Sequence, residues 1–183
     1  MSGLHGFGAP STWVERWSHL VPEGATVLDV ACGAGRHMQW FAARGHAVTG
    51  VDRSDEAVTA ASRFGPVLQA DIESGPWPFD GQQFGGVVVT NYLWRARLPD
   101  IVAAVAPGGV LLYETFAAGN ETVGKPSRPD FLLQPGELLS ASAGLHVVAY
   151  ENGFLPAPER FVQRIAAVRA AAGQSVECRL FVL

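Results

Sequence analysis

The stretch from Val27 to His37 constrains the fold of this chain more than any other part of the sequence. It reads Val-Leu-Asp-Val-Ala-Cys-Gly-Ala-Gly-Arg-His. A short apolar run that contains a single Asp is typical of a buried parallel strand, and the two glycines let the backbone turn tightly beneath a ligand. A helix that begins directly after such a turn presents unpaired N–H groups and the positive end of its dipole to that ligand. The stretch therefore predicts an α/β fold with a nucleotide-type binding turn.

The details of the turn distinguish between nucleotides. A dinucleotide fingerprint requires a third glycine, which is missing after Gly35, and a phosphate loop requires a Lys after the glycines. The remaining pattern, D-x-x-C-G-x-G, resembles the first motif of the class I S-adenosylmethionine-dependent methyltransferases. This resemblance implies that the turn passes under the methionine end of the cofactor and that Asp29 helps to hold its amino group. The turn residues assigned to the cofactor are Ala31, Cys32, Gly33, Gly35, Arg36 and His37.

A second cofactor element is predicted at the end of the next strand, residues 47–51, which is followed by Asp52. An acidic residue at this place can accept two hydrogen bonds from a ribose diol. Capping of the following helix is the alternative role, and Ser54 suits that role better. Arg53 beside Asp52 suggests the 2′-phosphate of NADP, but the missing third glycine argues against a dinucleotide.

Two further strand ends complete the predicted site. The resemblance implies that Asp71, after the strand at 66–70, binds the adenine amino group, and that Ile72 contacts the ring; a solvated loop acid is the alternative for Asp71. The strand Phe84–Thr90 leads into Asn91 and Tyr92 at the switch point of the sheet, where both face cofactor and substrate. Since residues 91–94 depart from the family's Asn-Pro-Pro-aromatic motif, adenine and glutamine N-methylation are not favoured.

The rest of the chain fits the same family. A Pro-Gly-Gly turn at 107–109 separates a helix over 99–106 from a strand over 110–116, as is common in these enzymes. A sixth strand is expected over 145–150, with loops at 152–153 and 156–158. Residues 160–169 alternate like a strand although their alanines favour a helix, and we interpret them as a strand. The resemblance implies a doubly wound, mostly parallel seven-stranded Rossmann-like sheet with an antiparallel C-terminal hairpin.

We expect a single domain over residues 1–183. It comprises an N-terminal segment (1–25), a cofactor-binding half (26–116), a loop predicted to be a substrate lid (117–134) and a C-terminal half (135–183). Thr12 and Glu15 form a capping box for a first helix, whose Trp13 and Trp17 pack it on the sheet. The apolar tail Val176–Leu183 is expected at a sheet edge or an interface. Residues 91–95 and 113–139 also resemble a bacterial subgroup related to tellurite-resistance methyltransferases.

Composition excludes several classes of function. A net charge of −4 gives no basic field for general nucleic-acid or anionic-membrane binding. Two cysteines without a C-x-x-C motif and five histidines without ligand spacing imply neither a disulfide nor a metal site. The chain shows no signal peptide and no run of eighteen apolar residues, so we expect a cytoplasmic protein.

The sequence thus predicts an enzyme that transfers a methyl group from S-adenosylmethionine to a small molecule with a thiol, hydroxyl or chalcogen oxyanion. Tyr92, Glu114 and His37 are the candidates to contact or deprotonate the acceptor. A non-catalytic cofactor-binding sensor or partner subunit is the alternative, and an NAD(P)-dependent oxidoreductase is a minor one. The sequence leaves the identity of the acceptor and homo-oligomer formation open.

Overall fold

The computed structural model describes residues 8–171 and 173, so the expectations for the tail Val176–Leu183 and for Cys178 lie outside the described residues. In the described part, the helices are α1 (Thr12–Trp17), α2 (Arg36–Ala42), α3 (Asp55–Ala61), α4 (Leu98–Ala103) and α5 (Glu137–Ala141). The strands are β1 (Val27–Val30), β2 (Val48–Asp52), β3 (Val67–Gln69), β4 (Phe84–Thr90), β5 (Val105–Phe116), β6 (His146–Pro156) and β7 (Glu159–Val168). None of these short helices has the length and apolar character needed to cross a membrane.

The seven strands form one sheet in the order β3-β2-β1-β4-β5-β7-β6. Strands β1 to β5 are parallel, whereas β7 pairs antiparallel with both β5 and β6. The predicted doubly wound, mostly parallel sheet with an antiparallel C-terminal hairpin is confirmed. Since the chain runs outwards from β1 to β3 and then returns to the other side of β1 as β4, the switch point lies between β1 and β4.

Hydrophobic side chains cover both faces of the sheet, because neighbouring residues of a strand point to opposite sides. On one face, α1 and α2 pack Trp13 and Phe41 against Val88 of β4. On the other face, α4 and α5 pack against Val87 and Leu111. The expectation that Trp13 and Trp17 pack α1 on the sheet is confirmed, since each is only 2% exposed.

The Pro-Gly-Gly sequence at 107–109 lies inside a strand, which corrects the sequence prediction. Helix α4 ends at Ala103, and β5 begins at Val105 rather than at Val110. The pairing of β5 with β4 shifts register between Phe84 and Gly86, so the extra residues form a bulge. A turn-forming tripeptide can sit in such a bulge because the bulged strand leaves the regular ladder there.

The C-terminal hairpin is longer than expected. Strand β6 continues through Asn152 and Gly153 to Pro156, where the prediction had loops, and pairs with β7 along its whole length. The interpretation of residues 160–169 as a strand is confirmed by β7. Pairing on both sides of β7 outweighs the preference of its alanines for a helix.

Helix α1 is capped one residue earlier than predicted. The Ser11 hydroxyl accepts a hydrogen bond from the Trp13 N–H at 3.1 Å, so Ser11 and not Thr12 is the N-cap. The Ser11 side chain also donates to Glu114 Oε1 at 3.0 Å. The cap therefore ties the start of α1 to the carboxyl end of β5.

Candidate functional site

The turn between β1 and α2 is built on residues with positive φ. Ala31 and Gly33 have φ near 54°, and Gly35 has φ of 82°. A Cβ on Gly35 would lie 2.8 Å from the Cβ of Ala61 in α3, so backbone conformation and packing both require glycine here. Ala31 adopts the left-handed region at a cost of about 1–2 kcal/mol, a form of strain that clusters at ligand sites. Burial raises the pKa of the neighbouring Cys32 thiol, which is therefore neutral.

Asp29 ends in a buried carboxylate beside this turn. Asp29 is only 2% exposed, and its Oδ2 atom has no hydrogen-bond partner among the described residues. Burial raises the pKa of Asp29 to about 7. The positive charge of Arg36 opposes this increase, and the negative charge of Asp52 adds to it. A buried oxygen without a donor is costly and calls for a ligand group that can donate to it.

His37, at the start of α2, is a structural partner of this carboxylate. Its Nδ1 lies 4.0 Å from Asp29 Oδ2, and its Nε2 accepts a hydrogen bond from the Ser11 N–H at 3.1 Å. Burial, assisted by the charge of Arg36, lowers the pKa of His37 to about 3. The imidazole is therefore neutral at physiological pH, and since Nε2 accepts, Nδ1 carries the proton.

Arg36 precedes His37 and is weakly held. Its guanidinium donates to the Ala9 carbonyl at 3.4 Å and to the Thr90 hydroxyl at 3.5 Å, both near the limit for a hydrogen bond. Burial lowers the pKa of Arg36, while Asp29 and Glu114 oppose that effect. A guanidinium in this state retains donors for an anionic group.

The Asp52 carboxylate connects the end of β2 to the glycine turn. Oδ2 accepts the Gly33 N–H and Oδ1 accepts the Ser54 N–H, each at 2.9 Å. Each carboxylate oxygen has two acceptor positions, so both can still accept a hydroxyl. Ser54 caps α3 through a hydrogen bond from the Ala57 N–H, as its sequence position predicts. The Arg53 side chain is largely exposed, and its Nη1 lies 3.6 Å from Glu73 Oε2.

The end of β3 places Asp71 in an exposed turn. Its carboxylate accepts hydrogen bonds from the Ser74 hydroxyl and from the N–H groups of Glu73 and Ser74. These bonds, the one from the Ser74 hydroxyl foremost, lower the pKa of Asp71. The Ile72 side chain is buried in the apolar cluster on the α4 face. Asp71 thus stabilises its own turn and still presents carboxylate oxygens to solvent.

Asn91 and Tyr92 follow β4, and their side chains lie in different surroundings, although the sequence analysis placed both at the cofactor and the substrate. Asn91 is exposed with φ of 55°, and its N–H donates to the Glu114 carbonyl. The Tyr92 hydroxyl is buried without a hydrogen-bond partner among the described residues. Burial raises the pKa of Tyr92, and the charges acting on it come from Glu73, Arg97 and other residues near the end of β3. Tyr92 packs against the apolar cluster on the α4 face of the sheet, whereas His37 belongs to α2, which packs on the opposite face.

Glu114, by contrast, lies in a cluster that sequence reasoning missed. It is 1% exposed, and besides Ser11 it contacts Arg164 at 3.2 Å and Arg160 at 3.6 Å. The antiparallel register pairs Glu114 with Arg164, and Arg160, four residues earlier in β7, points to the same face of the sheet. The alternation of residues 160–169 was the signal that could have identified both arginines.

The segment 117–134, predicted to be a lid, is anchored at both ends. Ala117 and Leu133 form a β-bridge, and the Asn120 side chain binds the Pro126 carbonyl and the Phe161 N–H. Arg95 donates to the carbonyls of Asp130 and Leu132, each at 2.8 Å, and to the Glu137 carboxylate. Its role as a lid stays a prediction.

The structure thus brings the predicted residues together in two groups at the carboxyl edge of the sheet. Asp29, Arg36, His37 and Glu114 surround the start of α2, and Asp52 joins them through Gly33. Asp71, Ile72 and Tyr92 form a second group at the end of β3. Both groups lie along the edge of the sheet where the parallel strands end.

Part of the chain is similar in sequence to known methyltransferases. Residues 27–109 match the family described as a methyltransferase domain. The chain is 32% identical over 106 residues to malonyl-acyl-carrier-protein O-methyltransferase of Serratia marcescens, a match that covers 53% of this chain and 40% of the relative. The chain spans less than half the length of the curated relatives it matches.

Solved structures extend the likeness to most of the described fold. TehB from Haemophilus influenzae superposes with a TM-score of 0.67 at 19% identity, over 86% of this chain and 61% of TehB. The glycopeptide N-methyltransferase MtfA, solved with S-adenosyl-L-homocysteine, gives a TM-score of 0.62 at 18% identity over 90% and 91% of the two chains. Residues 27–109 thus match the methyltransferase domain family, and the fold of the chain is similar to that of TehB and of MtfA.

Proposed function

We propose that this protein transfers a methyl group from S-adenosylmethionine to a small-molecule acceptor. The observation that carries the proposal is the buried Asp29 Oδ2, which lacks a donor beside the glycine turn. The amino group of the cofactor is a cationic donor of the required kind, and a charge-assisted hydrogen bond would stabilise both groups. A nicotinamide dinucleotide offers no such amino group at this end.

The other cofactor contacts follow from the strand ends. Asp52 would accept the ribose hydroxyls, while Asp71 and Ile72 would bind the adenine. Residues 31–37 would cradle the methionine end, with Arg36 facing its carboxylate, and Arg53 and Asn91 would line the outer rim. These assignments rest on residue chemistry and on the family resemblance.

When bound, S-adenosylmethionine supplies a methyl group on a positively charged sulfur, which an acceptor nucleophile takes by in-line displacement, leaving the sulfur neutral. The protein has to align the acceptor and exclude water, and alignment can supply on the order of 7–11 kcal/mol. Of the three candidate bases, His37 is neutral but has its Nε2 occupied by Ser11. Glu114 is held by two arginines, and burial raises the pKa of Tyr92, so its hydroxyl stays protonated. We therefore propose catalysis by proximity, without a general base from this set.

Calorimetric titration with S-adenosylhomocysteine tests the cofactor half of the proposal. The wild type should bind in the micromolar range, and Asp52→Ala should weaken binding by about 1–3 kcal/mol because two hydrogen bonds to a charged acceptor are lost. Asp55→Ala is the matched control, since Asp55 is an exposed residue of α3 whose carboxylate is not expected to contact the ligand. Equal affinities of wild type and Asp52→Ala would remove the ribose assignment.

Turnover separates an enzyme from a binding module. Methyl transfer to a panel of small thiols, hydroxyl compounds and chalcogen oxyanions should be detected for the wild type. S-adenosylhomocysteine binding without any turnover would favour the sensor or partner subunit instead. The same proposal includes a small-molecule acceptor, no general nucleic-acid binding and a cytoplasmic location. The net charge of −4 supports the second of these, and the two cysteines without a C-x-x-C motif support the third.

A further inference from the structure

Three arginines converge at the carboxyl end of β5. Glu114 Oε2 lies 3.2 Å from Arg164, and Glu114 Oε1 lies 3.6 Å from Arg160. Arg36 completes the group, because its guanidinium donates to the hydroxyl of Thr90, the residue that pairs with Glu114 in the register of β4 and β5. The antiparallel direction of β7 brings its first residues to the end of β5, so the cluster lies at the same edge of the sheet as Asp29 and Asp52.

The arginines of this cluster are not equally satisfied. Arg164 donates to both Glu114 and Glu151 and stacks 4.9 Å above the Trp13 ring. Arg160 has only its 3.6 Å contact with Glu114, which is longer than a hydrogen bond, and its Nε is buried with no partner among the described residues. Buried donors in folded proteins are nearly always paired, because an unpaired one is costly. Arg160 therefore lacks an acceptor in the described part of the chain.

Charge leads to the same conclusion. Arg160 and Arg164 share one buried carboxylate, Glu114, and the second carboxylate that contacts Arg164, Glu151, has a side chain that is 46% exposed, so solvent screens it. Between Arg160 and Arg164, positive charge therefore exceeds the buried negative charge. A planar guanidinium with free donors suits an oxyanion that can accept two hydrogen bonds at once.

We propose that Arg160 is a specificity-determining residue that binds an oxyanion group, such as a carboxylate, on the methyl acceptor. This inference rests on the proposed function and narrows its substrate class from small molecules in general to anionic ones. Glu114 holds Arg160 in place from one side and leaves the buried Nε–H for the acceptor. Arg36, beside the glycine turn, faces the carboxylate of the cofactor instead.

Because the cofactor also carries a carboxylate, the experiment has to separate the two sources. The probes are propionate and its neutral isostere propionamide, each titrated into protein saturated with S-adenosylhomocysteine and also into protein alone. Side-chain nuclear magnetic resonance reports binding through the Nε–H signal of Arg160, assigned by its loss in Arg160→Lys. The affinity for S-adenosylhomocysteine is measured separately on every variant.

We expect propionate to shift the Arg160 signal saturably and to bind at least about tenfold more tightly than propionamide, the ratio that one charge-assisted hydrogen bond provides. Arg160→Met should abolish this preference while its affinity for S-adenosylhomocysteine stays within about twofold of wild type. For the variants, propionate binding is followed by calorimetry. Arg160→Lys should keep part of the preference for propionate, because lysine retains the positive charge. This conservative variant also provides the test if Arg160→Met does not fold. Arg44→Met is the control for net charge, since Arg44 follows the carboxyl end of α2, at the opposite edge of the sheet.

Three results would overturn the inference. The first is equal binding of propionate and propionamide, or of propionate by wild type and Arg160→Met. The second is a loss of S-adenosylhomocysteine affinity in Arg160→Met, which would show that Arg160 binds the carboxylate of the cofactor. The third is the absence of any propionate binding. A wild type that fails to bind S-adenosylhomocysteine would contradict the proposed function, and titration of the protein alone would still decide the role of Arg160.

Discussion

Protonation of Asp29 should control the affinity for S-adenosylhomocysteine. Burial raises the pKa of this carboxyl to about 7, and only the ionised form pairs with a cationic amino group. Ligand affinity should therefore rise with pH as the carboxyl loses its proton. Calorimetry should show about five- to tenfold tighter binding at pH 7.5 than at pH 6, with proton release that varies with the ionisation enthalpy of the buffer.

The neighbours of Asp29 do not titrate in that pH range. His37 is neutral above about pH 3, and the buried Cys32 thiol, whose pKa is raised, remains protonated. Asp29→Asn, which keeps the shape but not the charge, should bind more weakly and without dependence on pH. A wild type with constant affinity between pH 6 and 7.5 would show that Asp29 is ionised throughout or makes no contact with the ligand.

Single residues were predictable where the topology alone fixes their place. Asp29 lies one residue before the end of β1 and Asp52 ends β2, and the carboxyl ends of parallel strands meet at one edge of the sheet. The Glu114 cluster was not predictable in this way, because its arginines come from β7, whose register against β5 depends on a hairpin some fifty residues further along the chain. Charged residues with such distant partners look like ordinary surface residues in the sequence.

At the scale of a helix, the cap of α1 distinguishes the structure from the sequence prediction. Ser11→Ala removes the acceptor of the Trp13 N–H and a donor to Glu114, so we expect a loss of about 1–2 kcal/mol in the free energy of unfolding. Thr12→Ala should change it by less than about 0.5 kcal/mol, since Thr12 is exposed. Urea denaturation of both variants provides the measurement. The reverse order of the two effects would restore the predicted capping box.

The strands were predicted well in the parallel part and less well at the hairpin. Apolar runs such as Phe84–Thr90 define buried strands almost to the residue, because both of their faces are covered. In β6, Asn152 and Gly153 have turn-like sequence but are exposed and paired with β7, which holds them in the ladder. The Pro-Gly-Gly bulge at 107–109 is a second example, because these residues belong to β5 only through the strands that pair with it. Such pairing between distant strands cannot be predicted from the local sequence.

In the molecule as a whole, the segment 117–134 connects the parallel strands of the cofactor half to the C-terminal half. Its start is tied to β7 through Asn120, and its end is tied to the residues after β4 through Arg95. The same segment therefore spans the edge at which the acceptor is expected. Its length and its lack of a repeating pattern identified the segment in the sequence. Its anchors could not be identified in this way, because each is a hydrogen bond between a side chain and the backbone of a residue far away in the sequence.

Arg95→Met should loosen this segment and leave the cofactor site unchanged. The substitution removes two hydrogen bonds to loop carbonyls and the pairing with Glu137, so amide hydrogen exchange over residues 118–134 should become faster. If the segment acts as a lid that aligns the acceptor, turnover should fall by about tenfold, because small displacements of aligned groups lower rates strongly. The affinity for S-adenosylhomocysteine should stay the same, since Asp29 and Asp52 do not contact Arg95.

Arg128→Met is the matched control: Arg128 pairs with Asp130 within the same segment, but both side chains are exposed, and such pairs contribute little. Faster exchange in Arg95→Met with unchanged turnover would show that the segment is anchored for stability alone, because a lid cannot be loosened without effect on the reaction it covers.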